Sequence, residues 1–144
     1  MKVNTYHGAG MLLWHKEEDG NISVLLGRRS FNPCKNLWNI PGGGFEDKKD
    51  GYDNNLRAYY KTAIRETYEE FGIEVDNLDK RPLWKMHVPF FNWEVYESEI
   101  KSKINPSFNM EFSTVNWFDI EDLPSDLGLF VKSQIRNLKK KISS

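Results

Sequence analysis

The stretch Ala63–Val75 reads "AIRETYEEFGIEV". At 3.6 residues per turn, Glu66, Glu69 and Glu70 are related as i, i+3 and i+4, so their carboxylates emerge on one face of a single helical turn. Three like charges there repel, and acids in the last turn before Gly72 also oppose the negative end of the helix dipole. A solvated acidic face explains such a cluster on an ordinary surface helix. A hard divalent cation explains it better if the rest of the chain supplies a site, because magnesium takes oxygen ligands from carboxylates, water and substrate phosphates.

Working outward, the apolar and small residues Leu56, Tyr59 or Tyr60, Ala63, Ile64, Thr67 and Phe71 follow helical spacing. They predict a helix over about 56–71 that buries this face, stops at Gly72 and carries the glutamates on its flank. Asp53 or Asn54 is positioned to cap it. The preceding "DKKDGYDNN" has the composition of an exposed loop, and before it "LWNIPGGGFE" is a short apolar strand broken by Pro41 and three glycines. Further out, "GAGMLLWHKEEDGNISVLLGRRS" predicts a hairpin ending at Arg28 and Arg29. "RPLWKMHVPFFNWEVYESEI" predicts strands broken near Pro89 and Asn92, and "MEFSTVNWFDI" a further strand. The last segment predicts an amphipathic helix with Leu127, Phe130, Val131, Ile135 and Leu138 inward. The pattern is a mixed α/β domain with helices packed on a sheet.

Composition narrows the functional classes. A chain of 144 residues fits one domain over 1–144, large enough for a core of its own. With 20 basic and 21 acidic residues it offers no basic field for nucleic acid. No apolar run approaches a membrane span. A lone cysteine, Cys34, and a polar start fit a cytoplasmic protein.

With "PGGGFE" ahead of "RETYEEFGI", the chain resembles the Nudix hydrolases, whose box reads G-x5-E-x7-R-E-U-x-E-E-x-G-U with U a bulky aliphatic. Arg65, Glu66, Glu69, Glu70, Gly72 and Ile73 match its second half in register, and Pro41, Gly42 and Gly43 match the entry to its first half. Thr67 departs from the aliphatic position. The spacing also departs: 18 residues separate Glu46 from Arg65, more than in compact members. An insertion at 47–55 accounts for this, leaving the first box glutamate missing or replaced by a loop acid. A gapless register would instead use Gly51 and place Arg57 at the glutamate position.

The resemblance implies a Nudix-like α/β/α sandwich with a mixed β-sheet, and magnesium-dependent hydrolysis of a diphosphate bond in a nucleoside triphosphate or another nucleoside diphosphate derivative. Mg²⁺ is the expected cofactor, with Mn²⁺ as a substitute. Glu69 and Glu70 would be the principal metal ligands, with the Gly42 carbonyl and Glu111 as further ones. Glu66 would be a third carboxylate ligand or the base that activates water, and Arg65 would orient the acids. Arg29, favoured over Arg28 by strand alternation, and Gly43 would contact substrate. Arg65 needs a fixed carboxylate partner, with Asp47, Asp50 and Asp53 as candidates. The partner is a small nucleotide, on a monomer or homodimer, and the inserted loop is placed to act as a lid. Two rivals are an ADP-ribose pyrophosphatase, since Pro89 lies 16 residues past Ile73, and a catalytically silent nucleotide sensor. His7, His15 and His87 read as structural, as do most of the five tryptophans, of which one or two are placed to line a pocket.

Overall fold

A computed structural model describes residues 4–144. The apolar run in Tyr6–Lys16 forms β1, which is buried on both faces: Ala9, Met11 and Leu13 face one side and Leu12 the other, all with no exposed surface. Strand β2 (Ile22–Arg29) alternates in the same way, with Leu25 on one face and Val24 and Leu26 on the other. A strand covered on both faces reads as a continuous apolar run, as these two do.

Seven strands make one mixed sheet in the order β3-β2-β1-β8-β7, where β3 is Trp38–Asn39, β7 is Trp84–Val88 and β8 is Phe91–Glu99. β1 and β8 run parallel, and the other pairs are antiparallel. β4 (Gly42–Gly44) and β9 (Phe112–Asp119) complete the sheet. One edge of β1 is shared: Gly8–Gly10 pair with β4, while Trp14–Lys16 pair with β2. The sheet therefore splits partway along β1, and the far end of β2, carrying Arg28 and Arg29, diverges to pair with β3 and β9.

Helix α2 (Tyr59–Phe71) packs on one face through Tyr59, Ala63 and Phe71. Helix α3 (Val131–Ser143) covers the other with Val131, Ile135 and Leu138. The result is the expected α/β/α sandwich. Thr67 is fully buried because its hydroxyl donates to the Ala63 carbonyl at 2.7 Å, so it serves where an aliphatic is usual. Gly72 ends α2 in the left-handed conformation, φ 68°.

Several expectations fail locally. Helix α2 begins at Tyr59, not near Leu56, and neither Asp53 nor Asn54 caps it; its N-cap is Ala58, with no side-chain bond. The cause is the Asn54-Asn55 pair. Both adopt positive φ (49° and 66°) and turn a small hairpin between β5 (Tyr52–Asp53) and β6 (Leu56–Arg57), leaving Leu56 73% exposed. The 47–55 segment is thus not a plain exposed loop: α1 (Asp47–Asp50) precedes the hairpin and buries Asp50. The break between β7 and β8 falls at Pro89-Phe90, and Asn92 lies inside β8 opposite His87. Phe130 is not inward; it sits in the left-handed conformation just before α3 and is 40% exposed. Phe112 and Val115, three residues apart on β9, both face the α2 side, because a register shift opposite Arg28/Arg29 interrupts the alternation of the strand.

Candidate active site

Strand β4 lies beside the split in the sheet and brings its glycines against α2. A Cβ at Gly43 would stand 2.6 Å from the Glu66 carboxyl carbon, so only glycine lets that carboxylate approach the strand. Gly42 meets the acids through its N–H, which donates to Glu70 Oε1 at 2.7 Å.

Arg65 is held by five partners. Its Nε and Nη2 donate to Asp50 Oδ1 and Oδ2 at 2.8 and 3.0 Å, a bidentate pair, and Nη2 also donates to the Gly44 carbonyl at 2.9 Å. Nη1 lies 3.0 Å from Glu66, 3.1 Å from Glu46 and 3.2 Å from Glu69. Asp50, 2% exposed, accepts further bonds from the Thr62 hydroxyl (2.8 Å) and the Glu46 N–H (2.9 Å). Burial alone would raise the Asp50 pKa; the bonds from Arg65, the Glu46 N–H and Thr62 outweigh it and hold the carboxyl below its usual value. Of the three loop acids considered for Arg65, Asp50 is the partner, and the gapless register loses its rationale. Asp47 instead takes the Tyr52 hydroxyl, and Asp53 the Tyr60 hydroxyl.

Glu66, Glu69, Glu70 and Glu111 all line one cavity of about 930 Å³, together with Gly42, Gly43 and Arg29. Glu70 is 4% exposed, and burial, with the charges of Glu66 and Glu111 adding, pushes its pKa up to about 8. Burial likewise raises Glu66, although Arg65 beside it acts in the other direction. Glu111 lies just before β9 at the cavity wall, 3.3 Å from Arg29 Nη2. Arg29 is also fixed by the Pro33 carbonyl, at 2.9 Å from its Nε. Arg28 lies outside the cavity, against Asp126 (3.7 Å) and the Asn36 carbonyl (3.0 Å).

Among the described residues, no three acidic, histidine or cysteine side chains are grouped tightly enough to enclose a cation. The reason is visible in the contacts: Arg65 draws Glu69 toward itself, while Gly42 holds Glu70. The donor set nonetheless fits a hard divalent ion. It consists of carboxylate oxygens, two of them on groups whose burial works against their charge, facing a space large enough for a phosphate chain.

No residue of the 47–55 insertion lines the cavity. The expected lid is absent; the hairpin folds onto Phe45, with Tyr52 and Arg57 against that ring, and the insertion's contribution to the site is Asp50. The histidines have structural partners: His7 the Tyr59 hydroxyl, His15 the Ile100 carbonyl and His87 the Glu94 carboxylate, each at 2.7 Å. Trp84 and Trp93 are the tryptophans that reach the cavity. Beyond the one or two tryptophans expected at a pocket, sequence reasoning missed the apolar part of this lining, because its residues come from β1, β7, β8 and the turn before α3, far apart in the chain.

The NUDIX domain family model matches residues 6–138. No curated protein matches the chain. Among solved structures, the fold is similar to the NUDIX domain of Shewanella oneidensis NrtR in complex with ADP ribose, with TM-score 0.76 and 18% identity over 99% of this chain and 90% of that one. It is also similar to a MutT/nudix family protein from Enterococcus faecalis, with TM-score 0.78 and 18% identity; 97% of this chain aligns, spanning 62% of that one. A C. elegans Ap4A hydrolase binary complex gives TM-score 0.74 and 19% identity, with 96% and 98% covered.

Proposed function

The chain belongs to the Nudix family, and from that premise we propose that it is a magnesium-dependent pyrophosphohydrolase that cleaves a diphosphate bond in a nucleoside triphosphate. The observation that carries the proposal is the charge pattern of the cavity. Four carboxylates face it, one of them almost wholly buried, and of the two arginines described beside them Arg65 is committed to Asp50 while Arg29 pairs with Glu111 alone. A binding module for an anionic nucleotide gains nothing from such a set, because the acids repel phosphate. A cation between acids and phosphate reverses the sign.

Glu69, Glu70, Glu66 and Glu111 would hold Mg²⁺, or Mn²⁺ in its place. When bound, the ion supplies charge neutralisation on the phosphate oxygens and orientation of the attacking water. The chain's own residues do the rest. Arg29, tethered by Pro33 and Glu111 at the cavity wall, offers its guanidinium to a phosphate. Arg65 fixes Glu66 through Oε1 at 3.0 Å, which leaves Oε2 to take a proton from water. Asp50 acts one step back, setting the plane of the Arg65 guanidinium.

ADP-ribose is the second reading. Pro89 stands in the turn between β7 and β8, next to the cavity residue Phe90, and one similar structure is a complex with ADP ribose. Incubation with Mg²⁺ and a nucleotide panel, with products separated by chromatography, tests both. Release of nucleoside monophosphate and pyrophosphate from a triphosphate is expected. A kcat/KM for ADP-ribose at least about tenfold above every triphosphate would reverse the ordering. Absence of turnover on the whole panel would sink the enzymatic reading.

A further inference from the structure

The carboxylates of the cavity come from two parts of the fold that lie far apart in the chain. Glu66, Glu69 and Glu70 ride on α2, whereas Glu111 belongs to the turn before β9. The Ser30 N–H donates to the Glu111 carbonyl at 2.8 Å, and Arg29 holds its carboxylate. Those two tethers tie Glu111 to the end of β2, and neither reaches α2.

Asn109 makes that second connection with all four of its polar groups. Its backbone N–H donates to the Glu70 carbonyl at 3.3 Å, and its Nδ2 donates to the Glu69 carbonyl at 3.2 Å. Its Oδ1 accepts the Glu111 N–H at 2.9 Å, and its carbonyl accepts the Phe112 N–H at 3.3 Å, closing the turn that carries Glu111. The two helix carbonyls are among the last four of α2, which lack partners within the helix and take donors from outside it. They belong to the same residues whose side chains line the cavity. Gly72 lets the segment lie this close, since a Cβ there would collide with the Ser107 hydroxyl.

We propose that Asn109 is a positioning residue for the cation site: it fixes Glu111 relative to Glu69 and Glu70, so that carboxylates from both parts of the fold can share a bound divalent ion. The inference rests on the cation reading of the cavity, but not on the identity of the substrate. The charge of Glu111 acts on Glu70, and like charges on a loop and a helix separate when nothing joins them. Phe71 and Phe112 pack edge to face at 5.0 Å beside the turn, but apolar contact is non-directional and does not set where a carboxylate points. An amide does, because one side chain carries both the donor for the helix carbonyl and the acceptor for the Glu111 N–H. Serine keeps an acceptor for the N–H two residues on and loses the donor to Glu69; alanine loses both.

Calorimetric titration of the chelator-treated protein with Mn²⁺ alone, across a double-mutant cycle, tests the proposal. Asn109→Ala is expected to weaken Mn²⁺ binding about fivefold to tenfold, with Asn109→Ser between it and the wild type, and Glu111→Gln to weaken it about tenfold. Added to Glu111→Gln, Asn109→Ala is expected to change the affinity by less than about twofold, because the carboxylate it positions is already gone. Asn109 is exposed, so both of its variants are expected to stay folded, with melting temperatures close to that of the wild type. A residue that only capped the helix end would weaken binding equally in the two backgrounds. That equal loss, or unchanged affinity in Asn109→Ala, overturns the proposal and leaves the cation reading intact. Absence of saturable Mn²⁺ binding in the wild type overturns the cation reading itself, and this inference with it.

Discussion

Two clusters of charge in this molecule look alike in composition and differ in balance. On the surface, Asp79 meets Arg81 at 3.0 Å and Lys141 at 2.9 Å, and Lys141 reaches Glu97 at 2.8 Å, so two acids face two bases. Beside the cavity, Arg65 meets Glu46, Asp50, Glu66 and Glu69, of which Glu66 and Glu69 line the cavity with Glu70 and Glu111, where Arg29 is the one basic side chain among the described lining residues. The surface cluster is satisfied. The bonds from Arg81, helped by Lys141, hold Asp79 far below the usual carboxylate range, whereas burial and neighbouring acids push Glu70 to the other extreme. Folding has left the cavity lining short of positive charge, whereas the surface cluster is balanced.

Breaking the unbalanced cluster at the acids proposed to hold the cation gives the largest expected effect. Glu69→Gln and Glu70→Gln should each lower kcat by about a thousandfold, the several kcal/mol a misplaced cation forfeits, while metal-free stability stays level or rises as repulsion is relieved. Near-normal turnover at saturating magnesium in either variant would refute their roles.

pH sharpens the same contrast. Glu70 has a folded-state pKa of about 8 against 4.5 when free, so the folded protein holds a proton that the unfolded chain has already released. Metal-free stability is therefore full below about pH 4.5 and falls as pH rises toward 8, by an amount on the order of 3 to 5 kcal/mol. Glu66, also raised, acts in the same direction. Denaturant midpoints measured from pH 4.5 to 9 should decline in the wild type and decline much less in Glu70→Gln; parallel curves would rule the assignment out. Asp50, whose pKa is lowered, contributes the opposite slope only below its free value of 3.8.

Asp50→Asn removes the bidentate anchor while leaving Arg65 its other contacts, so a smaller loss of about 2 kcal/mol is expected, together with a fall in kcat as Glu66 loses its orientation. A variant with unchanged melting temperature and rate would mean that Asp50 is a bystander. Smallest of all, Asp79→Asn on the balanced cluster should cost under about 1 kcal/mol, diminish further in high salt, and leave turnover untouched.

The comparison also explains what sequence could and could not show. The spacing of Glu66, Glu69 and Glu70 on a helix ending at Gly72 is local, and local periodicity is what a sequence displays; the same holds for the doubly buried runs of β1 and β2. Choosing Asp50 over Asp47 and Asp53 depended on a four-residue helix and an Asn-Asn hairpin that turn only Asp50 inward, and a polar composition alone does not reveal either. The early helix start failed for the same reason, since the turn chemistry of Asn54 and Asn55 overrode the apolar spacing of Leu56. Arg29 was separable from Arg28 by alternation, since only Arg29 reaches the cavity.

The central claim is that the charge shortage around Glu66, Glu69, Glu70 and Glu111 exists to receive a divalent cation. Calorimetric titration of the chelator-treated protein with Mg²⁺, and separately with Mn²⁺, tests it without any assumption about substrate. Saturable binding is predicted in the wild type, weakened at least about tenfold in Glu70→Gln and unaltered in Asp79→Asn. Absence of saturable binding in the wild type, or binding equally strong in Glu70→Gln, would contradict the account.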